Sequence, residues 1–377
     1  MPGAQAGAAL VLASIAAAAA LLMFAPILAR WIWITRLALR ETSLATTAVA
    51  ALAWALSLGA GAHDGAARLA RWLAVPAAAA GLCPFAAQRL VLRRLGFPFS
   101  FAEYVRGPRL PPVRTERDVV LERRSPPLRA DVFHAPGREP HPFVVTVHGG
   151  SWKGGERGQG AHVSRALAAA GYTVFDVEYG LAPEHPFPEG IGDVKCLLGR
   201  LRERAEEFGI DPRRAVLLGR SAGAQIALVA AYSCGDARIP PTGGARDAPV
   251  LGVIALYPPV DLVYGYANPM RPDVQRGNEA LELYLGGPPA RRLEAYHLAS
   301  PRSWVGPGLP PTLLLHGESD RMVEPLHSVL LDAELKAAGQ RVRTARVPFG
   351  EHAFEMRPGS VGDQLARAAI RAFLASL

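Results

Sequence analysis

Cysteine is scarce in this 377-residue chain, and its scarcity excludes one class of protein. The three cysteines, Cys83, Cys196 and Cys234, are too few for a disulfide-stabilised scaffold and show no C-x-x-C spacing of a metal site. Half of the residues are hydrophobic and 20% are charged, which excludes a disordered or fibrous chain. The composition predicts a globular protein, and its hydrophobic content favours contact with a membrane.

Acidic residues are nearly missing from the first quarter of the chain. Residues 1–95 contain eight arginines and only two acids, Glu41 and Asp64, so that this region carries a net charge of +6. The rest of the chain contributes only +2 to the total of +8. Because the excess positive charge lies beside apolar segments, the expected partner is a membrane surface and membrane lipid, and nucleic acid is not expected.

Two segments, 1–29 and 42–62, contain no charged side chain at all. Each is long enough, at about 1.5 Å per residue, to cross a hydrocarbon core of about 30 Å as a helix. A third apolar run, 72–88, is shorter and contains two prolines. This run either spans the membrane, forms a kinked helix, or enters the membrane and returns to the same side. A cleaved signal peptide fits the first run poorly, because its start lacks Lys and Arg and its apolar core is too long. Alanine-rich core helices of a soluble protein are the other alternative.

Residues 1–95 are therefore predicted to form a membrane region with two or three transmembrane helices. Arginines cluster in the first connection and after the third run, with fewer in the second connection. With three spans, the positive-inside rule puts the amino terminus outside and the large carboxy-terminal part on the cytoplasmic side. If the third run does not span, the arginines give conflicting signals under the same rule, and an outside location of the large domain is the alternative.

From about residue 96 short apolar runs alternate with longer helical patterns. The runs at 143–147, 172–177, 215–218, 251–256, 312–315 and 342–347 are predicted to be buried strands. This alternation predicts one α/β domain over 96–377, with a mostly parallel sheet and helices on both faces. Residues 262–309 break the alternation and are predicted to form a small cap above the carboxyl ends of the strands, where ligands bind.

The sequence G-R-S-A-G at 219–223 follows a predicted strand and opens an apolar helix. This is the context that a G-x-S-x-G nucleophile turn requires, with glycines that let the backbone turn sharply and expose Ser221. The alternative is an ordinary strand-to-helix turn in which Ser221 caps the helix. A serine nucleophile also needs a base and an acid that holds the base.

Asp320 and His352 supply those two groups in the chain order Ser, Asp, His that such folds use. Glu318 is a rival acid, but it lies closer to its strand. Upstream, H-G-G-S-W at 148–152 follows a strand, and its backbone N–H groups, together with that of Ala222, are candidates to bind a developing oxyanion. His148 is interpreted as a loop-organising residue and not as a second base.

Five motifs occur in the order found in a known superfamily. They are HGGSW at 148–152, YGLAPEHPFP at 179–188, GRSAG at 219–223, HGESD at 316–320 and GEHAF at 350–354. Over about residues 115–377 the chain resembles the α/β-hydrolase superfamily, specifically the hormone-sensitive-lipase-like esterases and carboxylesterases. The resemblance implies Ser221 as nucleophile, His352 as general base and Asp320 as orienting acid. It also implies Gly149, Gly150 and Ala222 as oxyanion-hole donors.

Two positions depart from the family pattern. Ser151 stands where the common HGGG motif has its third glycine, which looks more like the small-esterase and deacetylase branches. Arg220 precedes the nucleophile, where the family often has an acid.

The predicted activity is hydrolysis of a small-molecule or lipid carboxylic ester through a serine acyl-enzyme, with no metal or organic cofactor. An acyltransferase, a deacetylase or a peptidase would use the same triad, because these reactions differ only in the leaving or accepting group. A non-catalytic, membrane-bound interaction module with a hydrolase fold is a further alternative. A complete triad argues against it, since a binding scaffold has no need of all three residues.

Overall fold

A computed structural model describes residues 2–60, 63–273 and 276–377. The first residue of the run 1–29, the last two of the run 42–62, and residues 274–275 of the predicted cap lie outside this description. The chain forms two compact units, Met1–Pro108 with Val347–Leu365, and Arg109–Arg346 with Ala366–Leu377. The structural division therefore differs from the predicted boundary at 95/96, and the first unit includes a segment from far along the chain.

The first unit is helical. Its amino-terminal part contains α1 (Pro2–Phe24), α2 (Arg30–Glu41), α3 (Ser43–Leu58), α4 (Gly65–Arg94) and the short α5 (Phe101–Arg106). Within the described residues, α1 and α4 are long and apolar enough to cross a membrane, and α2 and α3 meet at a 74° bend as a candidate broken span.

Two of the predicted runs differ in length from the helices that contain them. The run at 42–62 gives a helix of only 16 residues, α3. The run at 72–88 is the middle of the 30-residue α4, which begins at Gly65 and continues through Pro76 and Pro84. Proline inside a helix removes one backbone hydrogen bond without necessarily ending the helix, so the two prolines are poor markers of its bounds.

Alanines form the contact between α1, α3 and α4. The buried members of this alanine seam are Ala9, Ala13, Ala16 and Ala20 of α1, Ala50 and Ala53 of α3, and Ala70, Ala74 and Ala77 of α4. Their spacing of three or four residues places them on one face of each helix, and their small size lets the helix backbones approach closely. Larger apolar side chains of the same helices, such as Leu52 and Trp72, are exposed.

The second unit is built on a sheet. Among the described residues its strands are β1 (Thr115–Glu122), β2 (Leu128–Phe133), β3 (His141–Val147), β4 (Thr173–Val177), β5 (Ile210–Arg220), β6 (Gly252–Leu256), β7 (Thr312–Gly317) and β8 (Val342–Val347). They lie in the order β1-β2-β4-β3-β5-β6-β7-β8. Neighbours from β4 to β7 pair in parallel, whereas β1 pairs with β2, and β2 with β4, in antiparallel fashion. The predicted mostly parallel sheet is confirmed.

Helices connect the strands. They are α6 (Ala161–Ala169), α7 (Glu189–Glu203), α8 (Ala205–Phe208), α9 (Ala222–Tyr232), α10 (Leu262–Ala267), α11 (Gly277–Leu285), α12 (Pro289–Ala299), α13 (Leu326–Ala337) and α14 (Val361–Leu374). Every residue of α9 is buried, as expected of a helix that is apolar all round. The segment predicted as a cap contains α10, α11 and α12, which lie between β6 and β7 in the chain.

Candidate active site

Ser221 lies in the sharp turn between β5 and α9, with φ 53° and ψ −121°. Positive φ is uncommon for a non-glycine residue and is found where the surrounding structure enforces it, often at functional sites. The Ser221 amide donates to the Leu256 carbonyl at 3.0 Å, and the Ser221 carbonyl accepts from Ala224 N at 2.9 Å as α9 begins. The turn is thus held from β6 on one side and from its own helix on the other.

The two glycines of the G-x-S-x-G motif leave room for this turn. A Cβ atom on Gly219 would lie 2.2 Å from the Gly223 carbonyl oxygen. A Cβ atom on Gly223 would lie 2.2 Å from the carbonyl oxygen of His148. The motif glycines are therefore required by close backbone approach, and one of these approaches brings the 148–152 loop to the serine turn.

The loop at 148–152 passes directly beside Ser221. A Cβ atom on Gly149 would lie 3.2 Å from Ser221 Cβ, and Gly150 has φ 140°. The Gly149 amide donates to Gln159 Oε1 at 2.7 Å, so this predicted oxyanion donor already has a partner. Ser151 and Trp152 both have positive φ, which turns the chain along the cavity beside Ser221.

Trp152 and His148 hold that loop. Trp152 Nε1 donates to Gln225 Oε1 at 2.7 Å, and its ring stacks on Tyr284 at 4.9 Å. His148 Nδ1 donates to the Gly149 carbonyl at 2.9 Å, and its ring stacks on Tyr179 at 4.5 Å. Burial lowers the pKa of His148 below its ordinary value, which favours the neutral ring. These contacts support the interpretation of His148 as a loop-organising residue.

Asp320 lies in the turn after β7 and is almost fully buried. Its Oδ1 accepts from the amides of Met322 at 2.8 Å and Val323 at 3.0 Å, and Oδ2 lies 3.3 Å from His316 Nε2. Backbone donors of this kind favour the ionised carboxylate and fix its orientation. Glu318, the rival acid, is partly exposed and pairs with Arg346 at 3.1 Å.

His352 follows β8 and belongs to the Val347–Leu365 segment of the helical unit. The ring is buried, with 4% of the residue exposed. Phe349 and Ala353, on either side of it, have φ 57° and 65°. The loop that carries the third predicted catalytic residue is therefore a further place with backbone strain in non-glycine residues.

A cavity in the hydrolase unit opens beside the serine. Ser221, Ala222, Ser151 and Trp152 form one wall, and apolar residues of the predicted cap, including Leu262, Pro269, Met270 and Leu281, form another. Residues 321–324, which follow Asp320 directly, line the same cavity. The structure thus brings the serine turn, the 148–152 loop and the Asp320 turn to one cavity.

His327 is a cavity residue that sequence reasoning missed. Its Nδ1 accepts from the amides of Val260 and Asp261 at 3.3 and 3.4 Å. Burial, together with the nearby His316, lowers the pKa of His327 to about 4, so the ring is neutral at pH 7. A single histidine inside an apolar helix carries no local sequence signal for such a position.

The strand order, the strained serine turn and the overlying helices define an α/β-hydrolase. The BD-FAE family model matches residues 131–335, more than half of the chain, and the chain belongs to this family. Esterase LipQ of Mycobacterium tuberculosis is 31% identical over 245 residues, which cover 64% of this chain and 56% of LipQ. The chain spans about half the length of the first such relatives.

Solved structures show the same fold. A hyperthermophilic esterase from Pyrobaculum calidifontis superimposes with a TM-score of 0.59 at 22% identity, over 78% of this chain and 92% of that one. Butyrate-bound esterase Est2 of Thermogutta terrifontis gives a TM-score of 0.58 at 22% identity, over 71% and 95%. The predicted resemblance to the α/β-hydrolase superfamily and the predicted fold are confirmed.

Proposed function

We propose that this chain is a membrane-bound carboxylic-ester hydrolase that works through a serine acyl-enzyme. The observation that carries the proposal is the strained conformation of Ser221, a non-glycine residue at φ 53° on the wall of a partly apolar cavity. Such strain is retained where the surrounding structure enforces it, and an ordinary helix cap has no need of it. The names of the relatives, esterases and carboxylesterases, support the same activity.

In the proposed mechanism Ser221, His352 and Asp320 form the catalytic triad. Ser221 Oγ attacks the ester carbonyl while His352 takes its proton, and Asp320 orients and stabilises the resulting imidazolium. The alcohol then leaves with the proton from His352. Water, activated by the same histidine, hydrolyses the acyl-enzyme and returns Ser221 to its starting state. The two backbone amides that fix the Asp320 carboxylate support its role as the orienting acid.

The oxyanion hole of this mechanism uses backbone amides of the 148–152 loop and of α9. Gly150 and Ala222 remain the proposed donors from the sequence. The Gly149 amide already donates to Gln159, so we propose the Ser151 amide as the second donor of the loop in its place. Ser151 lines the cavity together with Ser221 and Ala222. Donors of this type contribute about 10²–10³-fold each to kcat in serine hydrolases.

The proposed substrate is an uncharged ester with a small acyl group. The cavity that contains Ser221 is lined by apolar residues such as Leu262, Met270 and Leu281, which suit an acyl chain, and also by the charged residues Asp261, Asp273, Arg321 and Glu324. The structural relative Est2 has been solved with butyrate, a short carboxylate, bound.

We place the helical region in a membrane because its packing suits lipid better than water. The alanine seam is buried while larger apolar side chains face outward. Between helices in lipid, small residues permit close backbone contact. Large apolar side chains can face the lipid tails without a cost in free energy, because the tails are equally apolar. In this arrangement α1, α3 and α4 pass three times through the bilayer.

The arginines of the helical unit support a cytoplasmic hydrolase. Arg40 Nε donates to the Met23 carbonyl at the end of α1, and Gln88 near the end of α4 donates to Pro348, so these parts lie at one end of the bundle. Six arginines of α2 and of the last turns of α4 lie at that end: Arg30, Arg36, Arg40, Arg89, Arg93 and Arg94. By contrast, Arg68 and Arg71, in the first turns of α4, lie at the opposite end of the bundle. The positive-inside rule then assigns the end that carries Val347–Leu365 to the cytoplasm.

The proposed activity is tested with full-length protein in detergent, aryl esters of graded acyl length and a fluorophosphonate probe. Wild-type protein should label at Ser221 and prefer short esters, and Ser221→Ala should lose labelling and about 10⁴–10⁶-fold in kcat. Ser303→Ala, at an exposed serine, is the matched control and should behave as wild type. Undiminished labelling of Ser221→Ala would mean that the nucleophile is elsewhere.

The proposed membrane location is tested by extraction. The full-length chain should stay with membranes in high salt and in alkaline carbonate, because hydrophobic transfer and not charge holds the helices. A reporter enzyme that works only in the cytoplasm, fused after Leu377, should be active, and an inactive fusion would contradict the cytoplasmic location. Release by carbonate would exclude the spanning helices.

A further inference from the structure

The loop that carries His352 is held by a buried ion-pair cluster inside the helical unit. Glu351 Oε1 lies 2.6 Å from Arg36 Nε and 2.8 Å from Arg40 Nη1. The side chains of Arg36 and Arg40 are 7% and 4% exposed, and that of Glu351 is fully buried. Both arginines lie on α2, in the region that the sequence presents as a membrane anchor, and Glu351 is the residue directly before His352.

Further contacts hold the backbone of the same loop. Arg40 Nη1 also donates to the Phe349 carbonyl at 3.1 Å, and Gln88 Nε2 of α4 donates to the Pro348 carbonyl at 3.1 Å. The Phe349 ring packs edge-on against Phe24 at the end of α1, with 6.1 Å between the ring centroids. Residues from α1, α2 and α4 therefore contact the segment between the end of β8 and His352.

The arginines are themselves fixed from the other side. Arg36 Nη1 donates to the Ala25 carbonyl at 3.0 Å, and Arg40 Nε donates to the Met23 carbonyl at 3.0 Å. Each guanidinium thus bridges the end of α1 and Glu351. Arg40 Nη1 donates a hydrogen bond to Glu351 Oε1, and Arg36 Nε makes an ion-pair contact with the same oxygen. The two cations therefore hold this oxygen of the carboxylate in place.

The backbone around His352 is strained, and the contacts described above stabilise it in this conformation. Phe349 at φ 57° and Ala353 at φ 65° adopt conformations that a free loop of non-glycine residues would leave. Such residues persist only where the surroundings over-determine them. The ion pairs with Glu351 and the hydrogen bonds to residues 348 and 349 are among the contacts that constrain this loop.

We propose that Arg36 and Arg40 are positioning residues for catalysis, which hold the His352 imidazole in its working position through Glu351. The inference rests on the proposed function, in which His352 is the general base. It makes the helical region part of the catalytic apparatus in addition to an anchor. A base must lie within hydrogen-bond reach of the proton it takes, and a displacement of about 1 Å can cost about 10²-fold in rate.

The inference is tested in full-length, detergent-solubilised protein with a water-soluble short-chain aryl ester. Arg40→Met removes the contacts to Glu351 and Phe349 and should lower kcat at least tenfold, and up to about 10²-fold, while KM stays within threefold. The rate of fluorophosphonate labelling should fall in parallel. Arg40→Lys keeps the charge without the forked donors and should give an intermediate kcat.

Two further variants keep the test decisive. Glu351→Gln keeps the shape of the side chain but leaves both guanidiniums without their carboxylate, so it should also lower kcat at least tenfold. Arg30→Met, at an exposed arginine of the same helix, is the matched control and should keep wild-type kcat. If Arg40→Met does not fold, as judged by its unfolding temperature, Glu351→Gln decides in its place.

The outcomes separate this inference from the proposed function. Full activity in His352→Ala would refute His352 as the base, and with it the proposed triad. An inactive His352→Ala together with folded Arg40→Met and Glu351→Gln at kcat within twofold of wild type would overturn the positioning role alone. A lowered kcat with unchanged KM and partial recovery in Arg40→Lys would support it, with kcat calculated per active site as titrated by complete fluorophosphonate labelling. Partial unfolding lowers the number of labelled sites, whereas a displaced base lowers the rate at each site.

Discussion

The helical unit and the hydrolase unit bury opposite kinds of side chain. In the helical unit the seam between α1, α3 and α4 is alanine, and Leu52, Trp54, Trp72 and Leu82 are between 44% and 80% exposed. In the hydrolase unit the core cluster contains large residues of the central strands, such as Phe143, Phe175 and Leu217.

This contrast shows which force holds each unit together. Burial of large apolar surface drives the hydrolase unit to fold in water, at about 25 cal/mol per Å². Alanine seams gain little from that effect and are effective where close backbone packing is the main attraction, as between helices in lipid. The proposed catalytic residues Ser221 and Asp320 belong to the hydrolase unit, whereas the proposed base His352 belongs to the helical unit.

The largest effect should come from the carboxylate of the hydrolase unit. Asp320→Asn should lower kcat by about 10⁴-fold, because an amide favours the wrong imidazole tautomer and cannot stabilise the imidazolium. Glu318→Gln should stay within a few-fold of wild type, since Glu318 is partly exposed and pairs with Arg346. The kcat of both variants is measured on a soluble ester. A lower kcat in Glu318→Gln than in Asp320→Asn would assign the acid to Glu318 instead.

Local features of the fold and site could be predicted from the sequence, because their causes are local. The strands β3 and β6 are short apolar runs, and Gly219 is required by its close approach to Gly223 within the turn of Ser221. The distance from the end of the strand also favours Asp320 over Glu318 as the acid, and this choice stays a prediction. These features depend on residues within a few positions of one another.

Other features depend on partners that no local pattern marks. The bond from Gly149 to Gln159, which removes a predicted oxyanion donor, depends on how a loop folds back. The pairing of Arg40 with Glu351 joins residues 311 positions apart. A chain that starts near residue 96 contains the strands β1 to β8, yet it would lack both arginines that hold Glu351. We therefore expect such a truncated chain to lose activity on soluble as well as lipidic esters.

A matched pair of leucines tests the contrast between the two units directly. Leu217→Ala, in the centre of β5, should lower the free energy of unfolding by about 2–5 kcal/mol through lost burial and a cavity. Leu52→Ala, on the outer face of α3, should change it by no more than about 0.5 kcal/mol in detergent. Denaturant unfolding in the same micelles measures both values. Equal losses at the two sites would show that the outer face of α3 packs as a protein core does.

The hydrolase unit should also depend on pH through His327. Its folded-state pKa of about 4 lies below the ordinary 6.5, so the unfolded chain binds a proton first as the pH falls. Stability is therefore complete above about pH 6.5 and declines between about 6.5 and 4, by at most about 3 kcal/mol from this residue. His327→Gln should flatten that part of the unfolding profile, while membrane partition of the full-length chain stays unchanged. An identical slope in the variant would assign the pH dependence to other groups.

The smallest of these effects should come from the alanine seam. Ala74, on α4, is 1% exposed and faces α1 and α3, whereas Ala79 on the same helix is exposed. Ala74→Leu inserts three carbons where helix backbones approach closely, so it should lower stability by about 1–3 kcal/mol. Ala79→Leu adds the same atoms on the outer face and should be tolerated within about 0.5 kcal/mol. Unfolding by a denaturing detergent measures this pair, and equal tolerance would mean that the seam is not close-packed and that small residues do not hold the helices together.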